Sequence, residues 1–167
     1  MISRDWVVTM ARYNTWQNRS VFGLASELTD AQRREDLGAF FKSVHATLNH
    51  ILWADQMWLW RFGVCPAPAD KSLANSTHLH DGWDDLCSDR VRFDGVIRDW
   101  ADAFDPAWVQ ADLTWIAGTT GKEETRPRGV LVSHLFNHQT HHRGQVNCML
   151  TRLGLKPGVT DIPFMPD

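Results

Sequence analysis

The stretch from Ser43 to Phe62 leaves this chain the fewest options, because it is apolar nearly all round. Leu48, Ile51, Leu52, Trp53, Met57, Trp58, Leu59 and Trp60 fall on every side of a helical wheel. A helix without a clean polar face has to be covered, either at the centre of a bundle or at a subunit interface. Two further stretches offer cover at helical spacing: Trp6, Met10, Tyr13, Val21, Leu24, Leu28, and then Trp83, Leu86, Arg90, Phe93, Ile97, Trp100, Phe104, with Pro106 as a stop. The last long helix is expected from about 129 to 153, ended by Gly154. Thr29-Asp30 reads as a break or a fresh cap, and Gly38 as a loop. Gly63 and the Pro66 to Pro68 stretch end the second helix, and residues 63–80 read as an irregular surface loop. Short apolar clusters around Gly118 and Gly121 predict a small hairpin or extended excursion over 108–128. The expected fold is all-α, a single domain over 1–167 built as a four-helix bundle with two long connections.

Composition narrows the function. With 43% hydrophobic and 22% charged residues, a chain of 167 residues can bury an ordinary core. A net charge of −3 gives no electrostatic footprint for nucleic acid, and no polybasic run suits a membrane surface. The longest apolar neighbourhood, 51–60, is broken by Asp55 and Gln56 and is too short to span a bilayer. Met1 to Met10 carries Arg4 and Asp5 and does not read as a signal peptide, so a cytoplasmic protein with small-molecule and protein partners is expected. Cys65, Cys87 and Cys148 are odd in number and far apart, which argues against a disulfide framework or a zinc knuckle and for small buried hydrophobes.

The eight histidines carry the chemistry. In a helix, residues four apart differ by about 40° around the axis, so His134, His138 and His142 form a column. Leu131, Leu135 and Met149 share its side, which points the column toward the core. A buried imidazole needs a partner, and a His-x-x-x-His pair aimed at a metal satisfies two at once. Spacing leaves His141 open as a replacement for His142. His134 reads as a hydrogen-bonded core residue or as support for the site. His50, inside the apolar second helix, is a third candidate ligand, whereas His45, nearer the helix start, reads as surface or as support. One histidine from the second helix and a pair from the last would leave a coordination position open for water or substrate. Asp55 needs a partner, an arginine or a backbone group.

The same residues carry a resemblance. Tyr13-Asn14-Thr15-Trp16-Gln17-Asn18, Thr47-Leu48-Asn49-His50-Ile51-Leu52-Trp53-Ala54-Asp55, His134-Leu-Phe-Asn-His138-Gln-Thr-His141-His142-Arg143-Gly144-Gln145 and Asp161-Ile162-Pro163-Phe164 together resemble the motifs of the DinB family. That family lies within the DinB/YfiT-like superfamily of metalloenzymes, and no polymerase activity follows from the shared name. The resemblance implies a bundle of up-down-down-up order, often dimeric, with His50, His138 and His142 as the ligands of a divalent metal. It settles the register in favour of His142 over His141.

Three imidazoles suit zinc, nickel, iron or copper, with zinc or nickel expected first. Superfamily relatives imply a transferase or related activity that uses a low-molecular-weight thiol, the metal lowering the pKa of thiol or water. A non-catalytic, stress-associated metal-binding dimer is the alternative. Gln145 is a candidate hydrogen-bonding partner for the site. Arg143 would bind an acidic substrate group or pair with a carboxylate, and Asn137 would cap or face a neighbouring helix. Trp53, Trp58 and Trp60 cannot all face one core, which predicts a homodimer.

Overall fold

The structure is a computed structural model that describes residues 2–118 and 120–166. Helix α1 spans Arg4–Ser26, capped by Ser3, whose side chain accepts from the Trp6 N–H. Thr29 is indeed a fresh cap: with Gln32 it forms a capping box at the start of the short helix α2, Asp30–Arg34. Helix α3 spans Val44–Arg61 behind the Ser43 cap, and α4 spans Trp83–Asp102. The expected excursion is an antiparallel hairpin of β1, Asp112–Ile116, and β2, Glu123–Pro127, with Thr114 opposite Thr125. It leads directly into α5, Arg128–Arg152. Gly63 and Gly154 follow α3 and α5 with φ of 80° and 84°, the left-handed conformation that glycine adopts without a Cβ penalty.

Side-chain partners fix the directions of the four long helices. Arg4 on α1 donates to the Asp102 carbonyl at 2.7 Å, and Phe22 stacks on Trp83, so α1 and α4 are antiparallel. Trp6 meets Phe136 while Asn14 and Asn18 meet Arg143, so α1 and α5 run together. His50 lies beside His138 and Trp58 beside His134, which makes α3 and α5 antiparallel. Asp55 binds Arg90 and Phe62 packs on Trp100, so α3 and α4 are parallel. The bundle therefore has the up-down-down-up order, in which only the step between the parallel α3 and α4 needs a connection that runs the length of the bundle. Leu48, Leu52 and Leu59 of α3, Leu86 and Ile97 of α4, and Leu150 of α5 are almost completely buried at its centre. Among the described residues, no helix is long and apolar enough to cross a membrane.

A polar layer crosses this apolar core. Arg90 donates to Asp55 at 2.7 Å and pairs with Asp94 at 2.8 Å. Gln139 donates to the other Asp55 oxygen at 2.8 Å. Asp94 accepts from Asn14 and Asn18, whose amide oxygens accept in turn from Arg143. Asp55 thus has the arginine partner expected for it, whereas Arg143 binds two asparagines rather than a carboxylate or a substrate. Burial works against the charge on Arg90, but Asp94 and Asp55 outweigh it and raise its pKa. Burial lowers Arg143 to about 10, which leaves it cationic at neutral pH.

Two expectations about α3 change. The 63–80 connection is not merely a surface loop but lies over the helix: Trp53 donates to the Asp70 carbonyl at 2.8 Å, Lys71 sits over Trp60, and Leu73 and Leu79 pack on the Trp53, Ala54 and Met57 cluster. Trp58 is covered by Phe62, Trp115 and Arg61. The tryptophans of α3 are therefore accommodated within one chain and require no second subunit. Cys65 and Cys87 are half-buried and Cys148 is exposed, so the cysteines are not all core residues.

Removing one member of a buried ion pair strands the other, at a cost of about 3 to 5 kcal/mol. Asp55→Ala, which takes from Arg90 one of its two carboxylates and leaves Gln139 without its partner, is expected to lose about 3 kcal/mol in urea-induced unfolding, the low end of that range because Asp94 still pairs with Arg90. A loss below about 1 kcal/mol would show that the layer does not hold the helices together.

Candidate metal centre

Antiparallel pairing of α3 and α5 sets His50 opposite the adjacent turns that carry His138 and His142. The ring centroids lie 5.1 Å (His50 to His138), 4.9 Å (His50 to His142) and 4.4 Å (His138 to His142) apart. One ring nitrogen from each residue falls within 4.8 Å of the other two, an arrangement that could hold a metal ion. The Nε2 atoms of His50 and His138 face each other at 3.2 Å. A tetrahedral ion with metal–nitrogen bonds of about 2.05 Å sets its donors about 3.3 Å apart, close to the separation of this His50 and His138 pair.

The outer ring nitrogens are held. His142 Nδ1 lies 2.8 Å from Gln145 Oε1, which can only accept, so the proton sits on Nδ1 and the Nε2 lone pair is free. His50 Nδ1 lies 2.9 Å from the hydroxyl of buried Ser76. Burial, reinforced by His142, holds His50 down at about 3. Burial and the neighbouring histidines hold His138 at about 3 as well. His142 is also lowered by burial, although its bond to Gln145 acts against the shift. All three are therefore neutral at pH 7, the protonation state that a ligand requires.

Aromatic side chains close round the cluster. The Phe41 ring lies 4.0 Å from the His50 ring and 5.4 Å from that of His142. It is carried by a tight turn in which Lys42 N–H donates to the Ala39 carbonyl at 2.8 Å, and Lys42 has φ of 67°. Trp53 stacks on His50 from within α3, with centroids 6.0 Å apart. A groove of about 370 Å³ between α1, α4 and the C-terminal segment is lined by Arg12, Trp16 and Arg98 and lies away from the histidines.

The other expected residues separate into those at the site and those elsewhere. Gln145 is at the site. His141 is exposed and turned toward Gln145 Nε2 at 3.3 Å, outside the cluster. His134 is exposed rather than a core residue, its ring 5.0 Å from Trp58 and 5.4 Å from His138. His45, expected at the surface or supporting the site, is instead buried elsewhere, bonded to Asn49 and facing Trp83. Asn137 is exposed and bonds the Ser133 carbonyl of its own helix. Sequence reading missed Phe41 and Ser76. Neither has a spacing signal, since each comes from a connection whose path only the tertiary structure defines.

In metal-free protein treated with diethyl pyrocarbonate and mapped by mass spectrometry, His134 and His141 should react well ahead of His50. Phe41→Ala is expected to raise modification of His50 several-fold and leave His134 unchanged. Equal modification of His50 in both proteins would show that Phe41 does not cover the site.

The comparisons agree with the motif pattern. The model of the DinB family matches residues 3–167. Protein DinB of Bacillus subtilis (strain 168) is 23% identical over 164 residues, covering 94% of this chain and 91% of that protein. No solved structure gives a significant match. A match over nearly the whole length, together with an up-down-down-up bundle that gathers His50, His138 and His142, means that this chain belongs to the DinB family.

Proposed function

We propose that His50, His138 and His142 hold one divalent ion, zinc or nickel before iron, and that the protein is a metal-dependent enzyme acting on a small molecule with a low-molecular-weight thiol. The observation that carries this reading is the convergence of three neutral ring nitrogens, two of them oriented by Ser76 and Gln145. Such an ion supplies a lowered pKa for a thiol or water ligand, and with it a nucleophile at neutral pH. The chain's own residues do the positioning. Ser76 and Gln145 hold the outer nitrogens, so His50 and His142 present their inner lone pairs without rotamer search. Phe41 and Trp53 exclude bulk water from the ring faces, which strengthens electrostatic interactions inside.

A non-catalytic metal-binding, stress-associated protein is the second reading. The close cover that Phe41 gives His50 and His142 favours it, because a closed centre suits a structural ion. Homodimeric assembly belongs with either reading; its support is the apolar surface of Phe40 and Phe164, 79% and 70% exposed, and no longer the tryptophans.

Metal content of untagged protein tests the proposal. About one ion per chain is expected, lost in His50→Ala and His138→Ala and kept in His141→Ala, with affinity about 10- to 100-fold weaker in Gln145→Ala. Thiol transfer to a panel of electrophiles should then follow metal content. A wild-type protein that takes up no zinc on reconstitution would overturn the metal site, and a loaded protein that turns over no thiol would favour the second reading.

A further inference from the structure

Three arginines lie over tryptophan rings at short distance, and two of them spend their N–H groups on carbonyls. Arg33, over Trp83, donates to Leu28 O, and Arg128, over Trp108, donates to Trp108 O. Arg61 differs. Its guanidinium carbon lies 4.7 Å from the Trp58 ring and 6.0 Å from the Trp115 ring, and among the described residues no carboxylate pairs with it. The residue is half-buried, and burial lowers its pKa. Stacking on an aromatic face contributes only about 0.5 to 1 kcal/mol at such a site and satisfies none of the in-plane N–H donors.

Its position relates it to the histidines. Arg61 is eleven residues after His50, about 20° away around α3, so the two share a face. The intervening ground is continuous: His138 to His134 at 5.4 Å, His134 to Trp58 at 5.0 Å, then Trp58 to Arg61. His134 is exposed and His138 and Arg61 are half-buried, so this side reaches solvent over His134 while Trp58 beneath is buried, in contrast to the face closed by Phe41. The planar fork of a guanidinium matches a carboxylate in bidentate fashion.

We infer that Arg61, framed by Trp58 and Trp115, is the anion subsite of the histidine centre and selects a small-molecule substrate that bears a carboxylate. Eleven residues place Arg61 about 16 Å beyond His50 along α3, and its side chain reaches back over Trp58, so the carboxylate lies within that span of the atom held at the histidines. This inference rests on the metal reading for the reacting end of the substrate, but the subsite itself exists without an ion.

The test uses the full chain loaded with cobalt, titrated with 6-mercaptohexanoate and with 6-mercaptohexanol and read by the thiolate-to-cobalt absorption band. The acid is expected to bind about tenfold more tightly than the alcohol in wild type, as a charge-assisted hydrogen-bonded contact implies, and no more tightly in Arg61→Gln. Equal affinities in wild type, or a preference that survives in Arg61→Gln, would overturn the subsite. Should Arg61→Gln fail to fold, Arg61→Lys is read instead, with the preference reduced several-fold. Cobalt that does not bind at all would sink the metal reading alone. The subsite is then decided on metal-free protein by the indole N–H resonances of Trp58 and Trp115, assigned through their Phe variants. Hexanoate should shift them in wild type and not in the Arg61 variant, while hexanol should not; resonances that ignore hexanoate would overturn the inference.

Discussion

The buried polar layer of Asp55, Arg90, Asp94, Arg143, Asn14, Asn18 and Gln139 is the constraint on which the remaining structure depends, because it takes at least one residue from each long helix. Two carboxylates and two guanidiniums sum to zero charge, and each pair has a single arrangement in which its hydrogen bonds are made. An apolar bundle can slide by a turn at modest cost, since one leucine replaces another. This one cannot slide without leaving an ion unpaired in a dry interior. The layer therefore specifies helix register, which is a separate contribution from the apolar burial that drives collapse.

Register matters here because the histidines sit next to the layer. Gln139 follows His138 by one residue and Arg143 follows His142 by one, while Asp55 lies five residues after His50. The Gln139 to Asp55 bond fixes α5 against α3 at the level where the imidazoles must meet. Neutral imidazoles can be gathered there because burial removes the charge that would drive them apart. The same burial brings the inner nitrogens of His50 and His138 to 3.2 Å from each other, a pairing that a divalent ion would replace.

Much of this was legible beforehand. The four apolar stripes, the Thr29 cap and the stops at Gly63 and Gly154 are local signals, decided within a turn or two of chain, and the structure agrees with them. The column of His138 and His142 is local too, whereas His50 was a candidate from its place inside an apolar helix and was assigned as their partner by motif resemblance, not by spacing. Two clues to the layer lay in plain view, Arg90 inside an apolar stripe and Asp55 inside an apolar helix, but the asparagines that complete it were ambiguous. What stayed hidden depends on where connections travel. Nothing in a Pro- and Ser-containing segment says that Ser76 will reach His50, and the misreading of the tryptophans followed from treating 63–80 as surface. His134 was misplaced for a related reason: a column continues along a helix, but the partner helix covers only part of it.

The histidine centre is tested most directly by X-ray absorption at the zinc edge of the reconstituted protein. Three imidazole nitrogens at about 2.0 Å, with one further light-atom ligand, are predicted, and His50→Ala should lose one of the imidazoles. A sulfur shell at about 2.3 Å, or fewer than three imidazoles in wild type, would contradict the account and move the site to the cysteines or the protein surface.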